Sequence, residues 1–304
     1  MSQADLEWDN KLAAIGAQKG FYEALGDGHK ALFVRGGSTL VVTFDNLDDA
    51  RQDDANRLPW GSDFAVSCGW SSLGIMAHGW TWYRDEAVYD FFDRLRDEEF
   101  FAQFDKVVFY GVSMGGYGAT AFSSAVPGCT VIAMSPQATL NRDLVGDWEP
   151  RFRQGWKQDF TSRYGYGPDG AATVKQAYLF WDPLVKEDAA HASLYNSDNV
   201  IDIRCRRFGH GLASALVRMG ILKKTVMGII NDNISQREIY TIMRARRKTP
   251  AYQKSLLRRL ENSDHPDLTR RFCKQILEMS KPAKRPHFAN AMLKAEQKMI
   301  EATQ

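Results

Sequence analysis

Lys106 to Ala121 reads KVVFYGVSMGGYGATA: an apolar run, the turn Gly111-Val112-Ser113-Met114-Gly115, and then small residues suited to a tightly packed helix. A serine presented on a sharp strand-to-helix turn needs glycines two places before and after it, because the strained backbone and the close helix leave no room for side chains there. Ser113 is therefore a candidate nucleophile. Two other readings compete for the same stretch. The serine could merely cap the helix, and Gly116-x-Gly118-x-x-Ala121 formally matches a dinucleotide-binding fingerprint. The second fails, because it needs an acid near the end of the next strand to hold a ribose, and VIAMSPQ (131–137) offers none. It also puts the glycines inside the helix rather than in the turn.

Downstream of the turn, strands and helices alternate. TVIAMS (130–135), AYLFW (177–181) and VIDIRC (200–205) read as strands like VVFYG (107–111) before them. Upstream, Arg84 to Phe101 carries Val88, Phe91, Phe92 and Leu95 at helical spacing. ALFVRG (31–36) and TLVVTFD (39–45) are β-rich, and the short Gly37-Ser38 link between them predicts an antiparallel hairpin. FAVSCGW (64–70) reads as a further strand, and residues 3–25 as an N-terminal helix interrupted by Gly16. Apolar strands separated by helices predict an α/β fold, a largely parallel sheet covered on both faces.

Residues 136–176 break the alternation with a long connection rich in glycine and aromatics, among them Trp148, Phe152, Trp156 and Phe160. Connections of that length inside a compact domain are usually functional insertions, so a cap over the strand ends is expected. After Gly211 the chain turns helical and basic. Residues 1–211 hold 20 Lys/Arg and 29 Asp/Glu, a net −9, whereas 212–304 hold 19 and 8, a net +11. The expected division is a catalytic domain over 1–211 and a basic helical extension over 212–304. In the latter, Leu268, Phe272 and Ile276 recur every four residues, and Pro250, Pro266, Pro282 and Pro286 stand at helix starts. Arg244, Arg246, Arg247 and Lys248 head its basic residues. The region carries no tryptophan and no nucleic-acid-binding motif. A solvated helical face, or one docked on the acidic domain, is expected rather than a nucleic-acid interface, with an acidic partner as the alternative.

A chain of 304 residues with 44% hydrophobic and 25% charged residues is an ordinary globular protein. The opening MSQADLEWDN has acids where a secretory signal would be basic and then apolar, and no apolar run reaches membrane-spanning length. A cytoplasmic location is expected. Cys68, Cys129, Cys205 and Cys273 are widely spaced, without a Cys-x-x-Cys pair or a zinc pattern, so they read as buried thiols. No cofactor or metal is expected.

A serine hydroxyl is a poor nucleophile until a base takes its proton. His210, in RCRRFGHGLASAL, follows the last predicted strand between Gly209 and Gly211, which suits an order Ser, acid, His along the chain. His191 is the rival, set within a predicted helix. The acid that orients the imidazole is expected at Asp182, directly after AYLFW and before Pro183, with Glu187 and Asp188 as competitors. A tetrahedral intermediate also needs two backbone N–H donors. Met114 supplies one by the geometry of the turn, and Asn46 or its neighbours Asp45 and Leu47 would supply the other. All eight tryptophans lie at or before Trp181. Trp70, Trp80, Trp82, Trp148 and Trp156 fall in loops near the strand ends, where they would either wall a substrate site or fill the core below.

Taken together, GVSMGG, the WDP acid and the final FGHG resemble the α/β-hydrolase superfamily over about residues 30–211. The resemblance implies a mostly parallel sheet with the three residues at its carboxyl edge and a cap inserted after the strand that follows the nucleophile. It departs from the family in two respects. The loop after TLVVTFD lacks the Gly-rich lipase form, and the basic helical tail is no part of the shared fold. The implied activity is a serine hydrolase acting on a small carboxylic ester or thioester. An acyltransferase with the same triad, or a non-catalytic binding protein on this fold, are the alternatives.

Overall fold

The computed structural model describes residues 3–46, 58–279 and 285–302. It divides into two compact units, 1–239 and 240–304. The helices that directly follow Gly211 therefore belong with the sheet rather than with the extension read from composition. They carry apolar faces that are buried within the first unit.

The first unit opens with α1 (Gln3–Lys19), and the expected helix stops there because Gly20–Leu25 forms strand β1. Strands β2 (His29–Val34) and β3 (Thr39–Asn46) follow, then α2 (Ser62–Ser67), β4 (Ser71–Ala77) and α3 (Glu86–Asp97). Next come β5 (Lys106–Val112), α4 (Met114–Ala121), β6 (Thr130–Met134), α5 (Arg142–Val145), α6 (Gly167–Thr173) and β7 (Gln176–Trp181). The unit continues through α7 (Lys186–Ser193), β8 (Val200–Arg204), α8 (Leu212–Arg218) and α9 (Leu222–Ile230). The boundary between the units falls within α10 (Gln236–Ile242).

The eight strands form one sheet in the order β1-β2-β4-β3-β5-β6-β7-β8. From β4 to β8 every pair is parallel, while β2 runs antiparallel to both β1 and β4. Two expectations are corrected here. The hairpin across Gly37-Ser38 does not form, because β4 lies between β2 and β3 and pairs with both. The stretch 64–70 is not a strand either. It is α2 and its exit, and the strand begins at Ser71, where Ser71 Oγ accepts from Gly36 N–H (2.9 Å) and donates to Gly37 O (2.8 Å), tying β4 to the end of β2.

The core explains the sequence patterns. The central strands are buried along nearly their whole length, as runs apolar on both faces require. α3 buries Val88, Phe91, Phe92 and Leu95, and Asp85 caps it by accepting from Ala87 N–H. Phe44 and Phe122 stack with Phe92 under the sheet's carboxyl half.

The second unit contains α11 (Pro250–Asn262), α12 (Pro266–Glu278) and α13 (Pro286–Glu301), each with proline in its first turn as expected. Pro282 lies outside the described residues. A small core of Leu257, Cys273, Ile276, Phe288 and Ala291 holds the three together. Leu268 is exposed, so the buried stripe of α12 runs through Thr269, Cys273 and Ile276. No helix among the described residues is long and apolar enough to cross a membrane.

Candidate functional site

The turn after β5 places Ser113 between a strand and α4 with φ 53° and ψ −117°. Such a conformation costs a non-glycine residue on the order of 1–3 kcal/mol and needs surroundings that enforce it. The flanking glycines show how. A Cβ at position 111 would lie 1.9 Å from Gly115 O, and one at 115 would lie 2.7 Å from Phe44 O. Strand, helix and β3 thus close around the turn so tightly that only hydrogen fits. Ser113 N–H donates to Met134 O (2.8 Å), fixing the turn to β6. Its side chain makes no capping bond to α4. Instead Ser113 Oγ lies 2.9 Å from His210 Nε2, which disposes of the helix-cap reading.

His210 sits in the loop between β8 and α8. Its Nδ1 lies 2.9 and 3.0 Å from the two carboxylate oxygens of Asp188. A carboxylate only accepts, so the ring proton is on Nδ1, and Nε2 carries the lone pair that receives the Ser113 hydroxyl. Asp188, in the first turn of α7, also accepts from Arg151 Nη1 (2.7 Å). Burial works against its charge, but the hydrogen bonds from His210 and Arg151 prevail and hold its pKa below the usual value.

Asp182, the acid expected from the sequence, does not face the imidazole. Its Oδ1 accepts from Leu184 N–H (3.0 Å) and its Oδ2 from Gly209 N–H (2.8 Å). The carboxylate is consumed by the turn it starts and by the residue before His210. The turn at Asp182-Pro183 spends the first carboxylate on the Leu184 and Gly209 N–H groups, and the first turn of α7 then brings the second to the histidine. Asp182 anchors the loop that carries His210, while Asp188 contacts the ring.

His191, the rival base, lies one turn further along α7 and is wholly buried. Its Nε2 is 3.1 Å from Glu149 Oε2, and its Nδ1 accepts from Ala138 N–H (3.2 Å). Burial pushes its pKa down, against the pull of Glu149. Glu149 also takes a forked contact from Arg151, through Nε (2.9 Å to Oε1) and Nη2. Burial opposes the Glu149 charge, yet the bonds from Arg151 and His191 outweigh it and hold the carboxyl at about 2. Arg151 therefore bridges two buried carboxylates, one on each histidine. Sequence reasoning passed over Arg151 and Glu149, although both stand in the long connection whose length marked it as functional.

That connection reaches the site. Phe152 lies with its ring centroid 5.8 Å from that of His210 and packs against Trp80 and Trp82. Arg84, buried under the segment, donates to Asp159 O (2.7 Å), Arg163 O (2.8 Å) and Ser162 Oγ (2.9 Å). Arg163 in turn meets Glu86, Asp90 and Asp93 of α3. Trp80, Trp82, Trp148 and Phe152 thus line the neighbourhood of the two histidines, while Trp70 borders α2, its ring edge-on to Phe64. Trp156 stands between Arg142 and Arg153.

Met114 is the first residue of α4, so its N–H is at the positive end of that helix. Asn46 closes β3 at the carboxyl edge, and Leu47 lies outside the described residues. Gln137, absent from the sequence-based candidates, places its Nε2 3.4 Å from Ser113 Oγ. Among the described residues no cluster of three or more His, Cys, Asp or Glu is disposed to hold a metal ion. The cysteines are free, three of them buried and Cys68 half-buried.

The sequence matches no protein-family model and no curated protein. Similar solved structures do exist. One is a capsule O-acetyltransferase of Neisseria meningitidis serogroup A, 15% identical, covering 65% of this chain and 92% of that one with a TM-score of 0.41. Another is an esterase of Pyrobaculum calidifontis, 14% identical over 76% of this chain and 92% of that one, TM-score 0.44. A third is the glycosylation-associated protein complex (Gap123) of Streptococcus agalactiae, 17% identical over 69% of this chain and 46% of that one, TM-score 0.46. With its sheet order, its single antiparallel excursion at β2 and its strained serine turn after β5, the first unit has an α/β-hydrolase-type fold.

Proposed function

We propose that the protein is a serine hydrolase that cleaves a carboxylic ester or thioester through an acyl-enzyme on Ser113. The observation that carries this reading is the unbroken chain from Ser113 Oγ through the His210 ring to Asp188, with 2.9 Å at each of its two hydrogen bonds. Contacts of that length allow proton transfer without rearrangement. The Ser113 oxygen attacks the acyl carbon as its proton passes to His210 Nε2. The carbonyl electrons move onto oxygen, and the Met114 N–H receives that negative charge at the amino end of α4, with Asn46 at the end of β3 as the further backbone position. Asp188 keeps the imidazole in its Nδ1–H form and stabilises the cation. Collapse of the intermediate expels the alcohol or thiol, which leaves with the proton from His210. Water then adds to the acyl-enzyme, gives a proton to His210, and releases the acid as Ser113 regains its own. Transfer to an alcohol instead of water would follow the same steps and differ only in the second nucleophile.

Reaction with a fluorophosphonate probe tests this reading. Wild type is expected to label in a time-dependent manner and Ser113→Ala not at all. A folded wild-type protein that stays unlabelled, with no turnover of p-nitrophenyl acetate or an acyl thioester, would overturn it.

A further inference from the structure

We infer that the side-chain amide of Gln137 is a donor to the oxyanion formed on Ser113, acting beside the Met114 N–H. The inference rests on the serine-nucleophile reading and adds a residue to it. Gln137 follows β6 and is completely buried. An amide group has two ends that differ in chemistry, and here the surroundings decide which end faces where. The Trp82 indole N–H lies 3.0 Å from Gln137 Oε1. Indole nitrogen can only donate, so it selects the carbonyl end of the amide for itself and turns the NH2 end away. That NH2 end lies 3.4 Å from Ser113 Oγ and 3.4 Å from Ser135 O.

Both of these contacts are long, so neither uses the donor fully. A buried NH2 group with spare hydrogen-bonding capacity beside a nucleophile is costly unless something collects it. Ser113 Oγ is occupied as a donor toward His210 and can offer the amide only a lone pair. When Oγ bonds to an acyl carbon, the carbonyl electrons move onto the former carbonyl oxygen, which carries the negative charge two bonds from Oγ. A donor 3.4 Å from Oγ is then positioned to shorten its contact onto that oxygen, with the charge rather than the neutral ester as its preferred acceptor. Trp82 itself is held by its backbone. Residue 82 has φ 50°, and its N–H meets Met114 Sδ at 3.3 Å. The indole that orients the amide is thereby tied to the residue after the nucleophile.

Two variants separate this role from a packing role. Gln137→Glu keeps an oxygen for Trp82 and the same shape, but offers no NH2. Gln137→Met keeps the volume and removes both polar ends. In each, kcat for p-nitrophenyl acetate and the rate of fluorophosphonate labelling should fall on the order of 10²- to 10³-fold, with KM changed less than threefold. Folding is checked by circular dichroism and a urea midpoint, and Gln137→Glu decides alone if the methionine variant is unstable. Folded variants that label and turn over within threefold of wild type would overturn the role of Gln137 while leaving Ser113 in place. An equal loss carried by KM would overturn it too, since an oxyanion donor acts on the transition state. Absence of labelling in wild type would instead remove the reading on which the inference stands.

Discussion

His210 and His191 each stand against a buried carboxylate, on either side of Arg151, and they are wired in opposite senses. His210 gives its Nδ1–H to Asp188 and keeps the Nε2 lone pair for Ser113. His191 faces Glu149 with Nε2 and spends its Nδ1 lone pair on the Ala138 N–H. The His210 side chain is 31% exposed, the His191 side chain 0%. A histidine with a carboxylate partner is thus not yet a base. What makes it one is the free lone pair on the other nitrogen, aimed at a proton that has somewhere to go. His191 has the carboxylate and lacks the rest, so its pair with Glu149 serves to hold the connection between β6 and β7 against α7.

The largest effects should fall on the His210 side of that comparison. Asp188→Asn is expected to lower kcat by about 10⁴-fold, the scale seen when an orienting aspartate can no longer fix the histidine tautomer. Asp182→Asn should cost far less, about tenfold, because it weakens only the bonds to Leu184 and Gly209 N–H. His191→Gln, whose amide can both accept from Ala138 and donate to Glu149, should leave kcat within a few-fold of wild type. Steady-state kinetics on one activated ester measure all three. A reversed ranking of Asp182 and Asp188 would break the assignment of the acid, and collapse of kcat in a folded His191→Gln protein would break the contrast between the histidines.

How far the sequence could carry this is seen in the same residues. Ser113 was legible because its signal is local: two glycines, a strand and a small-residue helix lie within sixteen residues. His210 was legible from chain order and its position past the last strand. The carboxylate that faces His210 was not, since Asp182 and Asp188 stand close together in the chain and which of them meets the ring depends on where α7 aims its first turn. Gln137, Glu149 and Arg151 carry no motif, and the partners that place them at the site lie 24 to 55 residues away in hydrogen bonds or ion pairs that only the folded chain assembles, the nearby contacts of Arg151 with Glu149 and of Gln137 with Ser135 aside. The parallel part of the sheet was readable from its wholly apolar strands. β4 was missed because Ser71, Ser72 and Gly74 dilute its pattern, and the antiparallel edge was misjoined for the same reason.

A smaller effect tests the bridge itself. Arg151 is the one cation that both carboxylates share in hydrogen bonds among the described residues. Arg151→Met leaves Glu149 and Asp188 buried without it, and breaking a buried pair from one side costs about 3–5 kcal/mol. The urea midpoint should fall accordingly, with kcat reduced about tenfold through a less firmly held Asp188. A loss under about 1 kcal/mol would mean that the two histidine pairs are independent.

The finest distinction lies in the pH dependence of stability. Glu149 has its pKa depressed from 4.5 to about 2, because its hydrogen bonds to Arg151 and His191 outweigh burial. Its stabilising contribution is complete above pH 4.5 and is lost as the pH falls toward 2. His191 is depressed below 6.5 by burial, with Glu149 and Asp188 opposing and Arg151 assisting. The unfolded chain therefore takes up a proton near pH 6.5 that the folded chain refuses. Its neutral burial favours the fold above pH 6.5 and costs stability below it. Both groups make the protein less stable on acidification, in separate windows, since the unfolded state binds more protons in each. His191→Gln removes the upper window and keeps the lower one. The difference between wild type and variant, followed by urea denaturation from pH 8 to pH 4, should be flat above 6.5 and then narrow in favour of the variant by at most about 1.4 kcal/mol per pH unit. A difference that stays constant through pH 6.5 would mean that His191 takes up its proton in the fold as readily as in the unfolded chain. In that case it would donate from both nitrogens, the Ala138 N–H would lose its acceptor, and the opposition between the two histidines would fail at its weaker member.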